Sequence, residues 1–281
     1  MEGIVVSLKC GMYSVLADGV IYHTQARGLF RNFHQKVMVG DKVILSDTTF
    51  IIDVVLDRKS KLIRPQIANV SQILVVLSLV EPEFSYDLAF KYLTYANMNG
   101  IKSSLVLTKA DRFNDENKIN EIKDVFAKAH VPLYFVSNKN KQGIDEVKKL
   151  FKDEITCLIG QTGVGKSSLL NAIDESYQRD IGEYSKALGR GKHQTKEVIL
   201  LPYQGGYIAD TPGFSSLDLE LEKEELAKYF PGFLDYSLKC YFSNCVHETE
   251  NKCAVKEALQ NKEIHVIAYQ CYLKLLHEER R

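Results

Sequence analysis

No stretch of the 281 residues approaches the roughly 18 uncharged apolar residues that a membrane span requires. The opening MEGIVVSLKCGMYSV lacks a basic leader followed by a long apolar core. A cytoplasmic location with no membrane partner is the expectation. Net charge is also missing: 36 Lys and Arg balance 36 Asp and Glu, so no global positive field draws the chain toward nucleic acid and any RNA contact must be local. Internal repeats and low-complexity tracts are lacking. Cysteine is sparse outside one segment. Cys10, Cys157 and Cys271 are scattered and read as core thiols, whereas Cys240, Cys245 and Cys253 crowd around His247. In a reducing compartment that clustering points to a metal more than to disulfides.

The 45% hydrophobic and 26% charged residues are those of a folded globular protein, and the length suits two or three compact units. Residues 1–64 read as closely spaced strands, GIVVSLKC, YSVLA, VIYHTQA, KVMVGDKVIL and FIIDVV, without an intervening helical pattern. That spacing predicts a small barrel of the five-stranded OB type. Its nine basic residues against six acidic ones, 9 − 6 = +3, suit contact with a phosphate backbone, although a solvated barrel surface would look similar. Residues 65–217 alternate apolar runs with amphipathic stretches: QILVVLSLV, a helix near 86–97, SSLVLT, a helix near 117–129, PLYFVS, a helix near 144–151, then ITCLIG. Buried strands separated by helices predict a parallel α/β sheet, whose ligands sit at the carboxyl ends of its strands. Residues 218–281 predict a mostly helical unit carrying the cysteine cluster. The fold class expected is therefore multidomain: an OB-type barrel, an α/β P-loop core and a helical metal-binding region.

The sharpest motif is Gly160-Gln161-Thr162-Gly163-Val164-Gly165-Lys166-Ser167, followed by Ser168, between the strand ITCLI and a helix. Glycines there let backbone N–H groups turn inward around phosphate oxygens, helped by the positive end of the helix. Lys166 would reach the β- and γ-phosphates and the Ser167 hydroxyl would hold Mg²⁺. Thr108-Lys109-Ala110-Asp111, ending SSLVLT, selects the base. A carboxylate accepts from guanine N1–H and its 2-amino group, whereas adenine would leave it unpaired. Ser137-Asn138, ending the next strand, offers a backbone N–H to guanine O6. Asp210-Thr211-Pro212-Gly213 supplies a carboxylate for the Mg²⁺ shell and, at Gly213, an amide that senses the γ-phosphate.

These elements run in a permuted order, with the base-reading pieces ahead of the P-loop. Together with Gly189-Arg190-Gly191-Lys192-His193-Gln194-Thr195, the DTPG turn and the later Cys/His cluster, the order resembles the small ribosomal subunit biogenesis GTPases of the RsgA (YjeQ/YloQ) family, over essentially the whole chain. The resemblance implies an OB-fold, a permuted GTPase core and a zinc domain acting on the late-assembling 30S subunit and its rRNA. The 189–195 segment lies where the first switch must be, which makes Thr195 a candidate Mg²⁺ ligand. Phe214 stands where Ras-like enzymes carry a water-orienting glutamine, so the catalytic group must come from elsewhere. His193 is the expected one. Family members often carry threonine where Gln194 stands, which leaves open that Gln194 orients water or that Thr195 is not the metal ligand.

Cys240-x4-Cys245-x-His247-x5-Cys253 supplies three thiolates and an imidazole, a closed tetrahedral shell for one structural Zn²⁺. Three functions then compete: a GTPase that assists small-subunit maturation, turning GTP into GDP and phosphate; a switch that recruits a protein effector; and an RNA-binding module without useful turnover. Nothing in the sequence demands more than a monomer.

Overall fold

The computed structural model describes residues 1–27, 36–175, 198–210, 217, 219 and 221–278, with the side chain of Asp210 left out. By internal contacts the chain forms two compact units, and it passes from one to the other several times. The first comprises Met1–Ile73, Glu146–Leu158 and Leu170–Gly213; the second comprises Leu74–Asp145, Ile159–Leu169 and Phe214–Arg281.

In the first unit β1 (Glu2–Lys9), β2 (Met12–Ala17) and β3 (Val20–Thr24) form a meander, and β4 (Lys42–Leu45) pairs with both β1 and β5 (Ile52–Val55). The sheet closes where Ile52 N–H donates to the Gln25 carbonyl (3.0 Å) and Arg27 N–H to the Ile52 carbonyl (3.2 Å). A five-stranded barrel results, and closure removes the exposed edges that would invite aggregation. Alternation along the strands turns Val5, Val15, Ala17, Val43, Leu45 and Ile52 inward, where Val37 joins them.

The long strand expected over KVMVGDKVIL is only its last four residues. Gly40 has φ +90°, and a Cβ there would collide with the Ala68 carbonyl, so the chain turns at this point. Buried Asp41 accepts from Met38 N–H (2.7 Å) and pairs with Arg58 through Nε (2.7 Å) and Nη2 (2.8 Å). Two short strands that the sequence pattern did not signal, β6 (Lys61–Leu62) and β7 (Ile67–Ala68), form a ribbon.

The same unit holds β11 (Ile155–Ile159) up to Leu158, parallel to β13 (Gly206–Asp210), with β12 (Ile199–Tyr203) antiparallel to β13. β12 was also unanticipated. It meets β1 at Ser7 opposite Ile199, next to the register shift between Val5 and Ser7, and so joins barrel and sheet.

The second unit carries β8 (Gln72–Ser78), β9 (Lys102–Thr108) and β10 (Leu133–Phe135) in the order β10-β9-β8, with β9 and β10 parallel. β8 is buried along its whole length, as a strand covered on both faces requires. Helix α1 (Tyr86–Met98) starts at Ser85, whose hydroxyl accepts from Leu88 N–H, and α2 (Glu116–Lys128) starts at Asp115, which accepts from Lys118 N–H. The helix expected near 144–151 is α3 (Ile144–Lys148), continued by one 3₁₀ turn. Then come α4 (Lys166–Ile173), α5 (Lys223–Tyr229), α6 (Leu234–Ser237), α7 (Ala254–Gln260) and α8 (Val266–His277).

Helix α8 lies on α1. Lys274 Nζ is 2.7 Å from an Asp87 carboxylate oxygen, Lys91 Nζ is 2.5 Å from Glu278, and stacked rings of Phe90 and Phe230 (4.8 Å) continue to Phe233 and Tyr272. No helix among the described residues is long and apolar enough to cross a membrane.

Candidate nucleotide site and metal centre

The loop after β11 enters α4 through three glycines in conformations that L side chains rarely adopt: Gly160 (φ +151°), Gly163 (+83°) and Gly165 (+95°). At Gly160 space adds to conformation, because a Cβ would collide with the Val76 carbonyl of β8. Lys166 Nζ donates back to the carbonyls of Gly160 (2.5 Å) and Gln161 (2.8 Å), and burial lowers its pKa. An ammonium held partly out of water over a glycine loop gains when an anion displaces those carbonyls.

The β9 and β10 ends meet this loop. Thr108 Oγ1 donates to the Val164 carbonyl (2.5 Å), and Lys109 Nζ donates to the Gly163 carbonyl (3.1 Å) and to that of Glu81. Lys109 adopts φ +59° and leads into a 3₁₀ turn over Ala110–Arg112. There Asp111 accepts from the Ser137 hydroxyl (2.6 Å), a bond that holds its carboxyl below the usual range. The Asn138 amide reaches the Gly165 carbonyl at 3.4 Å. Residues 108–111, 137–138 and 160–168, separated in sequence by up to sixty positions, therefore lie side by side within the second unit. Asp111 stays charged and open to solvent, an acceptor pair beside a cationic loop. His193, Gln194, Thr195, Thr211, Pro212 and Gly213 lie outside the described residues. The backbone of Asp210 ends β13.

The second cluster is compact. One ligand atom each from Cys240, Cys245, His247 and Cys253 lies within 4.8 Å of the others, with Cys240 Sγ to His247 Nδ1 at 3.4 Å, His247 Nδ1 to Cys253 Sγ at 3.3 Å and Cys240 Sγ to Cys253 Sγ at 3.9 Å. A tetrahedral ion about 2.3 Å from sulfur and about 2.0 Å from nitrogen separates its ligands by about 3.5–3.8 Å. The four donors fit such an ion, and the cluster can hold a metal. Burial pushes the Cys245 thiol up to about 12 and lowers the His247 pKa, which keeps its imidazole neutral and able to ligate.

Residues that the motif did not reveal brace this knuckle. His247 has φ +61°. Tyr269 of α8 donates its hydroxyl to the His247 carbonyl (2.7 Å), Tyr272 to the Val246 carbonyl (3.0 Å), and the Glu250 carboxylate accepts from Val246 N–H (2.7 Å) and Glu248 N–H (2.9 Å). Only the spacing of the tyrosines on one helix face hinted at a common target.

The family model described as RsgA GTPase matches residues 55–220, and that of the RsgA N-terminal domain matches residues 2–49. The chain belongs to the RsgA GTPase family. It is 39% identical to a small ribosomal subunit biogenesis GTPase RsgA of Halalkalibacterium halodurans, over 99% of this chain and 96% of that one. It is 40% identical to the RsgA of Clostridium acetobutylicum, over 99% and 97%. The solved structure of YjeQ from Thermotoga maritima superposes with a TM-score of 0.86 at 36% identity, covering 100% of this chain and 99% of that one. YloQ, described as a circularly permuted GTPase, superposes with a TM-score of 0.81 at 33% identity, over 99% and 94%. The resemblance read from motif order thus holds along the whole chain, RsgA N-terminal domain included.

Proposed function

We propose that this RsgA-family GTPase hydrolyses GTP to GDP and phosphate in the cytoplasm while bound, as a monomer, to the small (30S) ribosomal subunit and its rRNA, and that it assists late maturation of that subunit. The observation that carries the reading is the hydrogen bond from Thr108 to Val164, which sets the base-reading strand end against the phosphate loop although the two run in permuted order. The names of the relatives as small ribosomal subunit biogenesis GTPases support the choice of partner.

In this reading residues 1–64 are an RNA-binding barrel, 65–217 the GTPase domain and 218–281 the zinc-binding region. Asp111 receives guanine N1–H and its 2-amino group, Ser137 holds that carboxylate in place, and the Asn138 backbone meets O6. Thr108, Lys109 and Ala110 border the base. The Gly160–Gly165 backbone and the N–H groups of Lys166, Ser167 and Ser168 wrap the phosphates. Lys166 neutralises charge that grows on the β- and γ-phosphate oxygens as water attacks in line. Ser167, Asp210 and Thr195 would hold Mg²⁺, which supplies further charge neutralisation when bound. His193 orients water and Gly213 senses the γ-phosphate. Zinc in the Cys240, Cys245, His247 and Cys253 shell is structural, since no coordination position stays open.

Steady-state GTP hydrolysis, with ATP as control, tests this reading with and without purified small subunits, for the wild type and His193→Ala. Stimulation by subunits that His193→Ala removes while nucleotide still binds is the expected result. Unchanged rates with subunits would overturn the choice of partner in favour of another effector, and a normally stimulated His193→Ala would move catalysis to Gln194.

A further inference from the structure

Three successive carbonyls of the phosphate loop each accept from a side chain at the ends of β9 and β10. Lys109 Nζ donates to the Gly163 carbonyl (3.1 Å), Thr108 Oγ1 to that of Val164 (2.5 Å) and Asn138 Nδ2 to that of Gly165 (3.4 Å). Within one planar peptide unit the carbonyl and the following N–H point opposite ways. Holding these three carbonyls therefore aims the N–H groups of Val164, Gly165 and Lys166 away from the strand ends, as a loop that wraps phosphate oxygens requires. Thr108 and Lys109 belong to the base-reading motif. Asn138 was singled out only for its backbone N–H, which leaves its side chain without a role.

The turn that carries Asn138 is tied in place, since Ser137 N–H donates to the Gln142 carbonyl (3.0 Å) and Asn140 N–H to the Ser137 hydroxyl (3.3 Å). The Gly165 carbonyl also accepts from Leu169 N–H (2.8 Å), the first bond of α4, so the Asn138 amide fills the second lone pair of the residue at which that helix begins. The fit is close: a Cβ on Gly165 would lie 3.4 Å from Asn138 Nδ2. The other end of the amide gains nothing, because Asn138 Oδ1 is buried and no described residue donates to it. A branched apolar side chain of the same shape would fill the space without that cost. A polar group held at a cost to the fold, directly on the phosphate loop, is the mark of a functional residue.

We propose that Asn138 is a positioning residue for nucleotide binding: its side chain clamps the phosphate loop to the turn whose backbone reads the base, so that base and phosphates strengthen each other's hold. The inference rests on the guanine-nucleotide reading above and adds to it a role for the amide itself. With its N–H on guanine O6 and its Nδ2 on Gly165, one residue spans both halves of the site. Ordering either half then lowers the entropic cost of ordering the other. The clamp shapes the loop and touches no reacting atom, so it acts on affinity.

The test is a fluorescence titration of the full chain with N-methylanthraniloyl-GDP, displaced by unlabelled GDP or GMP, for the wild type, Asn138→Ala and Asn138→Leu. Both variants should weaken GDP about three- to tenfold, the loss of one neutral hydrogen bond, and should leave GMP within about twofold, because a single phosphate leaves most of the loop unused. The thermal midpoint of the nucleotide-free chain should hold or rise in Asn138→Leu, which removes the unpaired buried oxygen. Wild-type GDP affinity in Asn138→Leu would overturn the proposal, as would equal losses for GDP and GMP, or a lower midpoint in Asn138→Leu, which would make Asn138 an ordinary packing residue. A wild-type chain that binds no GDP refutes the guanine-nucleotide reading itself. One that binds GDP, with variants that bind it equally well, refutes the clamp alone.

Discussion

The phosphate loop and the metal knuckle occupy the same compact unit and were both legible as short motifs, yet they are built in opposite ways. The knuckle closes within fourteen residues, so its four donors are brought together by local turns, and a metal repays the entropy of folding them. The nucleotide site is assembled from three strand ends, and no segment of it is complete alone. Thr108, Lys109 and Asn138 reach the loop, and Ser137 reaches Asp111, only because β9 and β10 are parallel and end on the same side. A local site should fail by losing its ligand outright, whereas an assembled one should fail piecewise, each part changing a separate property.

The largest effect is expected at the knuckle. For the structural zinc proposed above, worth about 10–16 kcal/mol in such a shell, Cys253→Ser should drop metal content from one equivalent to near zero, read by atomic emission, and lower the thermal midpoint. At the assembled site the losses separate. Lys166→Ala should reduce kcat for GTP about 100- to 1,000-fold by removing a donor aimed at developing charge. Asp111→Asn should weaken guanine nucleotides about a hundredfold, since donors on the base are left facing an amide, while xanthosine triphosphate gains because its 2-oxo group accepts from that amide. If both substitutions changed kcat alone, the division into a base-reading and a phosphate-binding part would be wrong. The smallest effect tests the brace on the knuckle: Tyr269→Phe removes the hydroxyl held by the His247 carbonyl and should weaken metal affinity about tenfold, measured against a chromophoric chelator. No change would mean that the four ligands hold their geometry unaided.

Legibility followed the same division. The strands ITCLI and SSLVLT, the glycine loop and the Cys/His spacing were readable because each is a local pattern with one physical purpose. The pattern KVMVGDKVIL misled because apolar alternation continues through Gly40 and Asp41. There the positive φ and the buried Asp41–Arg58 pair bend the chain, and neither is visible in periodicity. β12 was overlooked although Val198-Ile199-Leu200-Leu201 is an apolar run, because the run is short and Pro202 interrupts it; pairing with β13 and β1 makes it a strand. Tyr269 and Tyr272 belong to no motif, and their rings pack against each other. Their hydroxyls gain a function only from carbonyls more than twenty residues away.

The sequence by itself determined the chemistry available: a glycine loop with a lysine, a carboxylate suited to guanine, three thiols and an imidazole for a metal, and an order of motifs that placed the chain beside the RsgA GTPases. Those are properties of residue type and spacing, which act over a few positions. Tertiary structure decided which parts meet: Thr108 on Val164, Ser137 on Asp111, α8 on α1, and the two tyrosines under the metal loop. Such contacts depend on parallel pairing and helix packing between distant segments, where burial of apolar surface dominates and individual residues carry no address.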